Sequence, residues 1–189
     1  CVLPSARLIV MFREPTSRLV SEYGYFSATS APVQPHMFAT AVDTALESFR
    51  NCLAENPSSP WFCPFENLKR GKDVELRLGI GIYIAPLTIW LGVWGEESLL
   101  VLRSEDLKCS PERTMEAVFH HIGVVTPSLR IYGKQVHANG RAQSRRFLPS
   151  IETTKKLKAF YRPFNRQLAA LMGDSKFLWE DSPCDAVNS

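Results

Sequence analysis

Two kinds of segment alternate along the chain. Ala6–Phe12 (ARLIVMF) is a short, almost unbroken apolar run, the pattern of a strand buried on both faces. Arg13 and Glu14 end it, and Pro15 suits the first position of a helix, where its missing N–H would be unpaired anyway. Leu19, Tyr23 and Phe26 then recur at helical spacing on one side, with Arg18 and Ser21 on another. After a Ser/Ala/Pro loop, Phe38, Val42, Ala45, Leu46 and Phe49 mark the inner side of an amphipathic helix, His36–Leu53. A Pro-rich loop (Asn56–Pro64) and a basic turn (Lys69–Lys72) lead to Val74–Trp94, which reads as one long buried helix kinked or broken at Pro86. Ser98–Arg103 (SLLVLR) is a second buried strand, and Ser110, Pro111 and Glu112 open a helix that ends near Gly123. Beyond a polar, basic loop (Thr126–Pro149), two closing helices are predicted, Ile151–Tyr161 and Pro163–Met172, divided at Pro163. Leu157, Phe160, Phe164, Leu168 and Leu171 supply their apolar stripe. Strands interleaved with helices, without an internal repeat, argue for an α/β architecture with a parallel sheet.

Composition adds bounds. With 189 residues, 45% hydrophobic and 22% charged, the chain fits one globular domain and neither a disordered nor a collagen-like class. A net charge of +3 is too small to argue for nucleic acid, yet suits local reception of anions. No apolar stretch has the length of a membrane span, and the first residues lack a signal-peptide pattern. The chain opens on Cys1 rather than Met and enters a strand almost at once, as expected of a piece of a longer protein. The five cysteines show no CxxC and no repeated ligand spacing, so no metal site is expected. Cys52 and Cys63 flank a Pro- and Ser-rich loop that suits a short disulfide in an oxidising compartment, two unpaired cysteines being the alternative.

The segment richest in chemistry is Arg13–Tyr23, REPTSRLVSEY. Arg13 leaves the carboxyl end of a strand, the edge at which open α/β sheets bind ligands. A phosphate there could take a paired contact from Arg13 and a hydroxyl from Ser21, with helix amides and the macrodipole adding attraction. A plain strand-to-helix turn with an arginine salt bridge is the competing reading. The segment closely resembles the 3′-phosphate-binding motif of sulfotransferases that use 3′-phosphoadenosine 5′-phosphosulfate (PAPS), with Arg13, Pro15, Arg18, Ser21 and Tyr23 at matching places. LRLGIGIYIAPLTIWL (Leu76–Leu91), SLLVLRSEDL (Ser98–Leu107), FYRPFNRQLAALM (Phe160–Met172) and KFLW (Lys176–Trp179) carry the likeness to the carbohydrate sulfotransferases through most of the chain.

That resemblance implies a P-loop-like α/β sulfotransferase fold, a parallel sheet flanked by helices. Residues 1–189 would form the C-terminal part of one domain, the phosphate-loop portion being absent. The 3′-phosphate strand-turn-helix would lie at 6–26 and a basic cofactor loop at 137–149. Arg13 and Ser21 would hold the 3′-phosphate, and Arg18 would brace the structure. In NGRAQSRR (Asn139–Arg146), Arg141, Ser144, Arg145 and Arg146 would fold over the cofactor, a solvated basic loop being the alternative. PAPS would be the donor and a sulfated glycosaminoglycan the acceptor, at C6 of GalNAc 4-sulfate in chondroitin or dermatan sulfate. The Lys-bearing loop for the 5′-phosphosulfate and the catalytic base are expected upstream of Cys1. No catalytic residue is therefore assigned, and the isolated chain is expected to be inactive. The parent would be a type II Golgi membrane protein with this region in the lumen.

His120 and His121 close a helix and read as structural. Glu105 and Asp106 follow a strand, where a carboxylate could be catalytic, but the resemblance puts them in a turn. His137 has no assigned role, and the Trp and Tyr residues at helical spacing read as core. Two rivals stand beside the enzyme: a non-catalytic protein that binds sulfated glycans on a sulfotransferase-like fold, and an unrelated P-loop kinase-like protein.

Overall fold

Leu8–Phe12 forms strand β1, and its neighbour is distant in sequence: Leu99–Arg103, β2, runs parallel to it with Leu8 opposite Leu99 and Phe12 opposite Arg103. The computed structural model describes residues 6–27, 34–66, 76–125, 148–180 and 184. Between the strands lie α1 (Pro15–Ser27), α2 (Pro35–Glu55), the short α3 (Cys63–Glu66) and α4 (Ile84–Trp94). After β2 come α5 (Ser104–Cys109), α6 (Pro111–His121) and α7 (Ile151–Met172). The parallel pair and its intervening helices bear out the α/β reading.

β1 departs from expectation on one face. Leu8, Val10 and Phe12 join the core, whereas Ile9 and Met11 are 43% and 46% exposed, because no described element covers that side. An unbroken apolar run thus behaves here as a one-sided strand.

The inner face of α2 is the predicted one, Phe38, Val42, Ala45, Leu46 and Phe49. Two other helices differ from their patterns. Val74–Trp94 is not one helix: residues 67–75 lie outside the described residues, Leu78–Gly81 is a tight 3-10 turn, and α4 begins at Ile84. Pro86 falls in the first turn of α4, where it costs no hydrogen bond. The turn is fixed by close contacts. A Cβ on Gly79 would lie 1.9 Å from the Pro64 carbonyl oxygen, and one on Gly81 would lie 2.7 Å from the Tyr161 ring. Nor is α4 wholly buried, since Ile89, Trp90 and Val93 face outward.

The closing segment, in contrast, is one 22-residue helix that runs through Pro163. An interior proline costs about 3 kcal/mol, but Leu157 and Leu168 are fully buried on either side, each worth about 1.5–3 kcal/mol. Ala159 and Pro163 are both exposed, so the carbonyl that loses its partner sits on the watered side. Ser150 caps the start, accepting from the Thr153 amide at 3.1 Å, and Gly173 ends the helix at φ 61°. Tyr161, passed over in the sequence stripe, is fully buried, while Leu171 is exposed.

Cys52–Cys63 is a disulfide, as the sequence suggested. Cys109 and Cys184 form another, pinning the chain's last described residue beside α5.

Because their neighbours differ, three glycines should respond oppositely to a methyl group. Gly79→Ala and Gly81→Ala are expected to destabilise by about 3 kcal/mol or more through overpacking. Gly92→Ala, in α4 with open space around it, should stabilise by about 0.5–1 kcal/mol. Urea midpoints of the three variants check the signs.

Candidate functional site

The C-terminal end of β1 is where strand becomes helix, so the backbone there leaves the sheet ladder and needs other partners. The peptide between Arg13 and Glu14 finds them at both ends. Its carbonyl oxygen, from Arg13, accepts the Tyr83 hydroxyl at 2.8 Å, and its N–H, from Glu14, donates to Glu105 Oε1 at 2.9 Å. Those partners are 70 and 91 residues away in sequence. Tyr83 reaches the peptide because its ring stacks on Phe12 at 4.2 Å. Glu105 is steadied by its second oxygen, which accepts from the Trp179 indole at 3.3 Å. Trp179 in turn lies 6.1 Å from the Tyr83 ring and 5.7 Å from Phe177.

Glu14 also closes the start of α1. Its carboxylate accepts from the Thr16 amide at 3.0 Å and the Ser17 amide at 2.6 Å. This overturns one expectation: the first amides of the helix are not offered to an anion, because the chain's own carboxylate holds them.

Arg18 is committed elsewhere, as the bracing role required. Its guanidinium pairs with Glu22 and donates to the Arg77 carbonyl at 3.1 Å, while Arg77 pairs with the same carboxylate. Tyr161 lies beside Arg18 and donates to the Leu78 carbonyl at 3.0 Å. Arg103 is buried and tied to Asp106 at 3.0 Å and to the Lys176 carbonyl at 2.6 Å. Arg13 differs from these three. Its guanidinium is exposed and has no hydrogen-bond or ion-pair partner among the described residues. Ser21 is exposed too, six residues into α1 beyond Pro15, about 9 Å along the axis at about 1.5 Å per residue. Ser17, one turn earlier, shares that exposed side.

Arg141, Ser144, Arg145 and Arg146 lie outside the described residues, as does His137. His120 is exposed, and the His121 ring contacts the Leu8 carbonyl at 3.1 Å, a role in holding α6 to β1. Glu105 and Asp106 are structural, as the sequence suggested. Their partners, the Arg13–Glu14 peptide, Trp179 and Arg103, were not anticipated. Among the described residues no cluster suited to a metal ion occurs, and no helix is long and apolar enough to cross a membrane.

An exposed arginine at the carboxyl end of a parallel strand, with the Ser17 and Ser21 hydroxyls exposed on the helix that follows, has the donor chemistry that an anionic ligand could use. Residues 1–158 match the Sulfotransferase domain family, and the chain belongs to it. It is similar to carbohydrate sulfotransferase 15 of Homo sapiens, with 35% identity over 182 residues, 94% of this chain and 32% of that protein. The Mus musculus and Rattus norvegicus proteins of the same name are each 34% identical over the same shares. The chain thus spans about a third of the length of these curated relatives.

Burial pushes the Tyr83 phenol up from 10.0 to about 12, against the opposing charge of Arg18. Tyr83 therefore remains a donor at neutral pH. With the folded value raised, this stabilisation is complete below pH 10 and is lost as pH rises through about 12. The contribution is on the order of 2–3 kcal/mol. Denaturation midpoints measured from pH 9 to pH 12 should fall less for Tyr83→Phe than for the native chain.

Proposed function

We propose that this protein is a carbohydrate sulfotransferase that moves a sulfuryl group from PAPS to a hydroxyl of a sulfated glycosaminoglycan, C6 of GalNAc 4-sulfate in chondroitin or dermatan sulfate. The observation that carries the reading is Arg13: an exposed arginine without a hydrogen-bond or ion-pair partner among the described residues, on a turn held by Tyr83 and Glu105, while Arg18, Arg77 and Arg103 are each paired. Membership of the sulfotransferase family and similarity to proteins named carbohydrate sulfotransferase 15 supply the reaction class and the acceptor class.

Arg13 and Ser21 are the residues proposed to hold the donor's 3′-phosphate. Arg13 offers a planar pair of N–H donors, Ser21 a hydroxyl, and Glu14 keeps the helix amides out of the contact. PAPS when bound supplies the sulfuryl group and leaves as the nucleotide. Arg141, Ser144, Arg145 and Arg146 are assigned to cover it, adding positive charge where negative charge is shed. The two disulfides suit a Golgi lumen, the compartment proposed for this region, with a membrane anchor elsewhere in the protein.

Calorimetry on the intact protein with 3′-phosphoadenosine 5′-phosphate tests this. A charge-assisted contact is worth about 1.5–3 kcal/mol, so Arg13→Ala should weaken the nucleotide about 10- to 150-fold and leave chondroitin sulfate binding nearly unchanged. Glycan binding without nucleotide affinity in the native protein would instead mark a non-catalytic glycan binder.

A further inference from the structure

A flexible arginine on an exposed turn loses side-chain freedom on binding, and any looseness of its backbone adds to that loss. In this structure the backbone cost has been met in advance. The Arg13–Glu14 peptide has only two polar atoms, and each is held by a side chain from a different part of the fold. Tyr83 approaches from the start of α4, next to the turn fixed by Gly79 and Gly81. Glu105 approaches from α5 at the end of β2. The peptide plane is therefore fixed against rotation about the strand axis, and with it the direction in which the Arg13 side chain leaves the backbone.

The geometry points to Tyr83 and Glu105 as positioning residues for the 3′-phosphate contact, a clamp on the Arg13–Glu14 peptide that aims the Arg13 guanidinium. Neither needs to touch the nucleotide. Tyr83 is buried, and both carboxylate oxygens of Glu105 are occupied, one by the clamped peptide and one by Trp179. Each acts through the arginine. The proposal rests on the assignment of Arg13 made above, and names what gives that residue its geometry.

The test uses the intact protein and two nucleotides, 3′-phosphoadenosine 5′-phosphate and 5′-AMP, which lacks the 3′-phosphate. Tyr83→Phe removes one hydroxyl and leaves the ring that stacks on Phe12. It is expected to weaken the bisphosphate about tenfold, as loss of one aligned hydrogen bond would, while 5′-AMP changes less than about twofold. In the Arg13→Ala background Tyr83→Phe should have no further effect on either nucleotide. Glu105→Ala should act as Tyr83→Phe does. Glu105→Gln retains an acceptor for the Glu14 N–H but not for the indole, and should restore most of the affinity.

A merely structural role predicts another pattern: equal losses for both nucleotides, additivity with Arg13→Ala, and a Gln variant as poor as the Ala variant. Any of these overturns the clamp. Should Arg13→Ala itself leave bisphosphate binding intact, the assignment of Arg13 fails. Should Arg13→Ala weaken binding while Tyr83→Phe does not, the clamp alone fails. Thermal melts confirm that each variant is folded at the temperature of titration.

Discussion

One peptide bond carries the arrangement at the strand exit. Where β1 ends, the chain must leave the ladder and start a helix, and the Arg13–Glu14 unit loses its sheet partners in doing so. A fully buried amide or carbonyl left unpaired costs about 1–3 kcal/mol, and this part-buried peptide is spared a share of that cost when both of its atoms are satisfied. Tyr83 and Glu105 satisfy them, and each is itself locked, the first by stacking on Phe12 and the second by the Trp179 indole. The segments that bear these side chains are far apart in sequence, which makes the turn a product of the whole fold.

Charge distribution follows the same logic. Glu22 takes Arg18 and Arg77, Asp106 takes Arg103, and Glu14 takes the first amides of α1. Arg13, by contrast, has no such partner among the described residues. A carboxylate at the helix start offsets the macrodipole, so under the proposed function attraction for a phosphate would rest on the Arg13 guanidinium and the Ser21 hydroxyl. Such recognition would be directional, since a planar donor pair favours a phosphate or sulfate over a diffuse anionic surface.

Much of this was legible in the sequence. The strands, the inner face of α2 and the Arg13–Tyr23 motif are local patterns, and local patterns are what period and turn chemistry report. The failures came where distant contacts override local preference. Pro163 marks a break by propensity, yet Leu157, Tyr161 and Leu168 hold one continuous stripe across it. Gly79 and Gly81 fall inside the helix predicted for Val74–Trp94, but they occupy a turn where Pro64 and Tyr161 lie against them. Glu14 invited reading as a mere strand terminator, although an acidic side chain just before Pro15 is also a signal of helix capping. The clamp itself could not be found by spacing, since nothing in Tyr83 or Glu105 indicates which backbone atom it will meet. Tyr83 lies in the Leu76–Leu91 segment that carries the family likeness, but nothing in that segment gives its task.

The central claim is that a fixed backbone aims Arg13 at a phosphate. A crystal structure of the intact protein with 3′-phosphoadenosine 5′-phosphate bound tests it most directly. The account predicts the 3′-phosphate within about 2.7–3.2 Å of the Arg13 guanidinium and the Ser21 hydroxyl, with the Tyr83 and Glu105 contacts to the peptide unchanged. A nucleotide bound with its 3′-phosphate on other groups, Arg13 remaining in solvent, would contradict it.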